Sequence, residues 1–281
     1  MKKLLLFALI LPIWTLAQNK QTPRSVVNLM KEHVTCDWAE TTVDVFKTGN
    51  PDTEIKGIAV CMFADMKTLQ KVVEMNCNFI ITHEPIFYNH LDETDAYATD
   101  PVYHEKREFI ENNKLVVFRF HDHIHMTEPD GIYAGMMNKL GWKNYEVNDA
   151  GTLYKMPEKQ LADFARELKG QLGLQTVRVI GNPKMKFTKV GLAVGAPGGA
   201  RHIQMLNMPE VEVMVAGEAS EWETYLYAND ATTLGKNKAV IFVGHIKSEE
   251  AGMEYCAEWL KGFVKDVPIH FIQNEANFVT F

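Results

Sequence analysis

The chain has 281 residues, 46% of them hydrophobic and 23% charged, a globular balance that excludes a disordered or collagen-like chain and leaves room for two cores of modest size. Its formal net charge of -7 argues against a protein that tracks nucleic-acid phosphates, which gathers Lys and Arg on one face.

Residues 1–17 predict a secretory signal: Lys2 and Lys3 supply the charged start, Leu4 to Ala17 is an almost unbroken apolar run, and Thr15-Leu16-Ala17 forms a cleavage site before Gln18. A retained membrane anchor fits less well, because the run is shorter than the roughly 20 residues of a spanning helix and Pro12 interrupts it. No cysteine stands beside the junction, so lipid attachment is not expected there. The mature chain is expected to begin at Gln18, in the periplasm or outside the cell, without a membrane anchor.

Beyond Gln18, short β-branched runs alternate with amphipathic stretches, the pattern of a parallel sheet with crossover helices, so the fold class is α/β. Ile58 to Phe63 predicts a strand, Asp65 a cap for a helix with Leu69, Val72 and Val73 on one face, and Asn78 to Thr82 a second strand. Leu115 to Phe120 reads as another strand and Ile132 to Leu140 as a helix ended by Gly141. The turn-prone stretch Asn148 to Gly151 is the best boundary, dividing an N-terminal α/β lobe (18–150) from a C-terminal one (151–281). Past it, Leu161, Phe164, Ala165, Leu168 and Leu172 make a helical stripe, with strands expected at Val177 to Ile180, Val190 to Val194 and Val211 to Val215. A helix from Trp222 to Ala228, the strand Ala239 to Val243, a helix carrying Met253, Cys256 and Leu260, and a last strand near Ile269 to Ile272 complete the reading.

Cys36, Cys61, Cys77 and Cys256 form no CxxC pair. Two disulfides are open to an exported protein, but the apolar settings of Cys61, Cys77 and Cys256 favour buried free thiols.

The histidines are unevenly spread. His83, His121, His123, His125 and His245 all stand directly after apolar strands, and in open α/β sheets the carboxyl ends of strands form the ligand crevice. His83-Glu84-Pro85 follows the second strand; for both side chains to reach one site the chain must leave strand geometry there, while the bland reading is a solvated turn. His121-Asp122-His123-Ile124-His125 would place three rings on one side if extended, a spacing suited to zinc, iron, manganese or nickel but poor for calcium; Asp122 could accept an imidazole N–H. In Gly244-His245-Ile246-Lys247-Ser248-Glu249, Ser248 can cap the next helix with Glu249 in its first turn, where a carboxylate is favourable without any metal.

Three of these segments, Ile81-Thr82-His83-Glu84-Pro85, His121 to His125 and Gly244 to Glu249, resemble in order and spacing the metal motifs of the NIF-three-like dinuclear-metal family. The resemblance extends to Val215-Ala216-Gly217-Glu218-Ala219-Ser220-Glu221 and to the glycine-rich Val194-Gly195-Ala196-Pro197-Gly198-Gly199. Two departures are complementary: the family usually has His-His where this chain has His83-Glu84, and a histidine-to-aspartate segment where it has His121 to His125. Ligand count and summed charge are thereby unchanged, with Glu84 or Glu249 free to take the bridging role. The resemblance implies two similar α/β lobes with a dimetal cleft between them, six ligands (His83, Glu84, His121, His125, His245, Glu249), two divalent ions, and a homo-oligomer, a hollow hexamer.

Paired divalent ions can lower the pKa of a bridging water to roughly 7 and neutralise an attacked phosphoryl or carbonyl group. The expected activity is therefore hydrolysis of an unidentified, nucleotide-like small molecule by a metal-bridging hydroxide, cyclohydrolase-like by resemblance, with Glu218 or Glu221 assisting proton transfer. Those two glutamates can equally cap the Trp222 helix. A non-catalytic metal-binding or scaffold protein is the rival reading. A Rossmann-type binder using Gly195 to Gly199 lacks the GxGxxG spacing, and no GxSxG elbow supports a serine hydrolase.

Overall fold

The computed structural model describes residues 20–275 and 278–281; the predicted signal at 1–17 lies outside them. Thr22 opens helix α1 (Pro23–His33) with a capping box, its hydroxyl accepting from the Ser25 N–H while Ser25 accepts from the Thr22 N–H. After the short strand β1 (Phe46–Thr48) comes a βαβ unit of β2 (Ile58–Cys61), α2 (Met66–Glu74) and β3 (Phe79–Thr82). Asp65 caps α2 by accepting the Thr68 N–H at 2.8 Å. Helix α3 (Pro101–Asn112) leads to β4 (Val116–Arg119), and the short α4 (Asp122–Met126) to α5 (Gly131–Leu140), which Gly141 ends in the left-handed region at φ 69°.

The second half holds β5 (Leu153–Gln160), α6 (Leu161–Gln171), β6 (Arg178–Ile180), β7 (Lys186–Ala193), α7 (Gly199–Asn207) and β8 (Val213–Ala216). It continues with α8 (Leu226–Thr233), β9 (Ala239–Phe242), the long α9 (His245–Phe263) and β10 (Ile269–Phe271). The helix predicted from Trp222 is two pieces, a π-helical turn over Glu221–Tyr225 running into α8.

The described strands form two five-stranded sheets, in the orders β1-β4-β3-β2-β10 and β5-β7-β8-β9-β6. Each has a parallel centre, and in each an antiparallel strand closes at least one edge: β1 in the first, β5 and β6 in the second. The central strands are buried on both faces and read as unbroken apolar runs. Pro157 sits in edge strand β5, where the register shifts between Lys155 and Lys159.

Sheet membership does not follow a single cut at 150. Strand β10, read from sequence with the second half, returns to pair in parallel with β2 of the first sheet. Helix α9 makes the same crossing, leaving the end of β9 and packing over β2 and β10. One apolar cluster, running from Val26 and Phe118 through Ile132 and Met253 to Val190 and Ile241, joins both sheets. At its centre α5 and α9 touch backbone to backbone, since a Cβ on Gly135 would lie 2.3 Å from the Ala251 carbonyl oxygen. All four cysteines are free thiols, and Cys61, Cys77 and Cys256 are buried. Among the described residues no helix is long and apolar enough to cross a membrane.

Candidate metal centre

Three chain segments reach one point from the carboxyl ends of β3, β4 and β9, the edge where α/β sheets leave polar side chains unpacked. Strand β3 stops at Thr82, so His83 and Glu84 escape strand alternation and both turn toward the cluster. The His83 ring is fully buried and its Nδ1 donates to the Phe120 carbonyl at 3.1 Å.

His121 to His125 is helical rather than extended. Asp44, a buried residue that sequence reading passed over, accepts the backbone N–H groups of His121, Asp122 and His123 at 2.6, 2.9 and 2.9 Å. A carboxylate there satisfies the orphan donors that open α4. Helical spacing puts His121 and His125, four apart, on one face and swings His123 off it. His123 stacks on Trp38 with centroids 3.7 Å apart, gives Nδ1–H to Asp44 at 2.6 Å and accepts the Ala39 N–H at 3.0 Å, so neither ring nitrogen is left for a metal.

Helix α9 starts at His245 behind Gly244, whose φ is 85°. Ser248 does not cap it; its hydroxyl donates to the His245 carbonyl at 2.7 Å and accepts the Gly195 N–H at 2.9 Å, tying the helix to the glycine-rich turn. Gly195 (φ 65°) backs onto Glu249 so closely that a Cβ would stand 2.2 Å from Oε1. His245 and Glu249 share a helix face at 3.0 Å, one turn apart.

The six side chains converge. Nε2 of His245 lies 3.1 Å from Glu84 Oε1 and 3.0 Å from Glu249 Oε2. Glu249 also faces His83 Nε2 at 3.6 Å and, through Oε1, His125 Nε2 at 3.9 Å; His121 Nε2 is 4.0 Å from Glu84 Oε1. Donor atoms of His83, His121 and His125, and separately of His83, Glu84 and Glu249, lie within 4.8 Å of one another. Behind the cluster, each imidazole is held through Nδ1: His83 by the Phe120 carbonyl, His121 by Asp122 at 3.0 Å, His125 by Asp130 at 3.0 Å and His245 by Glu218 at 3.1 Å. That arrangement leaves every Nε2 aimed inward, as metal-binding histidines require.

Charge follows the same geometry. Burial, then the neighbouring imidazoles of His125 and His121, push the His83 pKa well below its usual value. Both effects favour the uncharged ring over an ion pair with Glu249. Burial also opposes charge on His245, but hydrogen bonds to Glu249 and Glu84 outweigh it and raise that pKa to about 10. Burial disfavours the Asp122 carboxylate, yet hydrogen bonds from His121 and Thr42 and from the Val43 N–H hold its pKa down at about 2. With Nδ1–H committed, His83 presents a lone pair at a buried Nε2 that no donor reaches among the described residues. A cation fits that position, because it accepts the lone pair and the two carboxylates balance its charge.

The family model for Duf34/NIF3 (NGG1p interacting factor 3) matches residues 22–277. The chain belongs to the NIF3 family. Its relatives include proteins named GTP cyclohydrolase 1 type 2 homolog. That of Chlamydia trachomatis is 22% identical over 77% of this chain and 83% of its own, and that of Clostridium acetobutylicum 24% identical over 79% and 82%. The fold is similar to that of a Bacillus cereus protein related to NIF3, with a TM-score of 0.77 at 14% identity over 94% of this chain and 100% of that one.

In this NIF3 chain the other predicted residues fall differently. Glu218 orients His245, whereas Glu221 is 77% exposed and pairs with Arg178 at 3.2 Å. Sequence reasoning missed Asp44, Asp130 and Arg119. Asp130 directly before Gly131 was a legible helix start, and an arginine inside the apolar run ending at Phe120 was a visible anomaly. Nothing local marked the Asp44 carboxylate, whose partners lie 77 and more positions away.

Proposed function

We propose that this NIF3-family chain is a two-metal hydrolase of a small, nucleotide-like substrate. The observation that carries the reading is the set of four imidazoles with Nδ1 anchored and Nε2 turned inward, one of them a buried lone pair without a donor. His83, Glu84, His121, His125, His245 and Glu249 would hold two divalent ions of the zinc, iron, manganese or nickel type. Glu249 suits the bridging role, because both of its oxygens face imidazoles. Bound ions would supply Lewis acidity and a water made acidic enough to attack near neutral pH.

The chain's own residues provide access, orientation and proton movement. His83 closes the floor, while the side chains of His121, His125 and His245 keep 25, 26 and 17% of their surface open to substrate; an open mouth favours catalysis over a sealed structural site. Glu218 holds Nδ1 of His245 with Oε2 and remains 65% exposed, so it can pass a proton to solvent. Of the two glutamates predicted for that task it is the better placed. The cyclohydrolase name of the relatives favours a nucleotide, and the net charge of -7 disfavours nucleic acid. Export through the signal at 1–17 to the periplasm or beyond, and a homo-oligomer, by resemblance a hexamer, complete the proposal.

The test is the purified mature chain, assayed for bound metal and screened against phosphoester, nucleotide and amide substrates. Two equivalents of metal are expected, with turnover lost on chelation and in His245→Ala. Turnover unchanged by both treatments would overturn the hydrolase reading.

A further inference from the structure

Arg119 is the last residue of β4 and is fully buried. Along this strand Val116 and Phe118 face the core shared by both sheets, and Val117 faces the separate cluster with Ile80 and Ile110. Alternation puts Arg119 on Val117's side, where an apolar side chain would serve packing better. A guanidinium there is tolerated only with its donors taken and its charge matched. Each of its three nitrogens has a partner in the segment that carries the candidate ligands, and Glu84 supplies the opposite charge. Nε donates to the His83 carbonyl at 3.1 Å, Nη1 to the His90 carbonyl, and Nη2 stands 3.5 Å from Oε2 of Glu84.

The two oxygens of Glu84 are thus divided. Oε1 faces His245 and His121, and Oε2 is turned back toward Arg119. Glu249 differs, since both of its oxygens face imidazoles. The third Arg119 bond reaches His90, whose ring lies 5.9 Å from that of His121 at the edge of the cluster. We propose that Arg119 is a positioning residue for Glu84: it claims one carboxylate oxygen, leaves the other alone for a metal, and pins the segment from Glu84 to His90 against the site. The inference rests on the two-metal reading and assigns a role to a residue outside the ligand set.

Zinc alone is the probe, read by metal content after dialysis and by chelator competition on the full mature chain. Wild type is expected to hold two equivalents. In Arg119→Gln one of the two should bind about 10- to 100-fold more weakly, the loss typical of a supporting partner. Arg119→Lys, which keeps the charge but not the planar fork, should fall between them. A merely structural role is separated in the metal-free protein: if Arg119 acts through Glu84, adding Glu84→Gln to Arg119→Gln recovers melting temperature, and if it does not, the two losses add. Additive losses overturn the assignment, as does zinc held by Arg119→Gln, or by Arg119→Lys if the glutamine variant does not fold, as tightly as by wild type. A wild-type chain that takes up no zinc overturns the two-metal reading together with this one; intact wild-type loading with an indifferent Arg119 overturns this one only.

Discussion

Asp130 divides its oxygens between two tasks. Oδ1 accepts the N–H groups of Ile132 and Tyr133, capping α5, and Oδ2 holds Nδ1 of His125 at 3.0 Å. Asparagine caps a helix about as well as aspartate but offers no negative charge to an imidazole. Asp130→Asn should therefore leave the metal-free protein folded with α5 still capped while weakening metal binding roughly 10- to 100-fold. Thermal unfolding beside chelator competition checks both halves, and equal metal affinity would show that the second contact is incidental. The same logic separates the histidines. His123, bonded at both nitrogens, is a structural residue, although its spacing in sequence made it look like His121 and His125.

Elements reach the site because helices can approach without side chains between them. Gly135 of α5 lies against the Ala251 carbonyl, and a Cβ on Gly252 of α9 would stand 2.5 Å from Cα of Ile132. These contacts are backbone, which cannot rotate away. Gly135→Ala must push the helices apart, with an expected loss of about 1–3 kcal/mol. Because α9 carries His245 and Glu249 and α5 is capped by Asp130, the shift should also loosen metal binding. Calorimetry of the variant with and without metal tests this, and an unchanged melting temperature would mean that the helices cross less tightly. Edge strand β5 shows why some elements escaped sequence reading: its burial alternates and then fails around Pro157, leaving no apolar run to find.

For the whole molecule, the crossing of α9 and β10 makes the two sheets depend on one another. A fragment of residues 20–150 contains the first four strands of its sheet but lacks β10, which pairs with β2, and α9, which covers it. It would expose the apolar face that now forms the shared core. The fragment is expected to aggregate or to lack a cooperative melt, whereas the chain from residue 20 to the end folds. A soluble, cooperatively melting fragment would show that the N-terminal lobe is independent.

Much was legible without coordinates. Apolar runs located β2, β3, β4, β8 and β9 to within two residues, because buried central strands need apolar side chains on both faces. Asp65 and Gly141 marked helix ends through the chemistry of caps. Motif order and the placing of histidines after strands pointed to the family and to a cluster of side chains that could hold a metal, since such signals are local in the chain. Tertiary structure alone decided that His121 to His125 coils, for the Asp44 carboxylate that starts the helix comes from a distant segment. It also decided that β10 returns to the first sheet and that Arg119 turns toward Glu84. Each of these depends on which groups stand opposite one another after packing, and spacing along the chain carries no record of that.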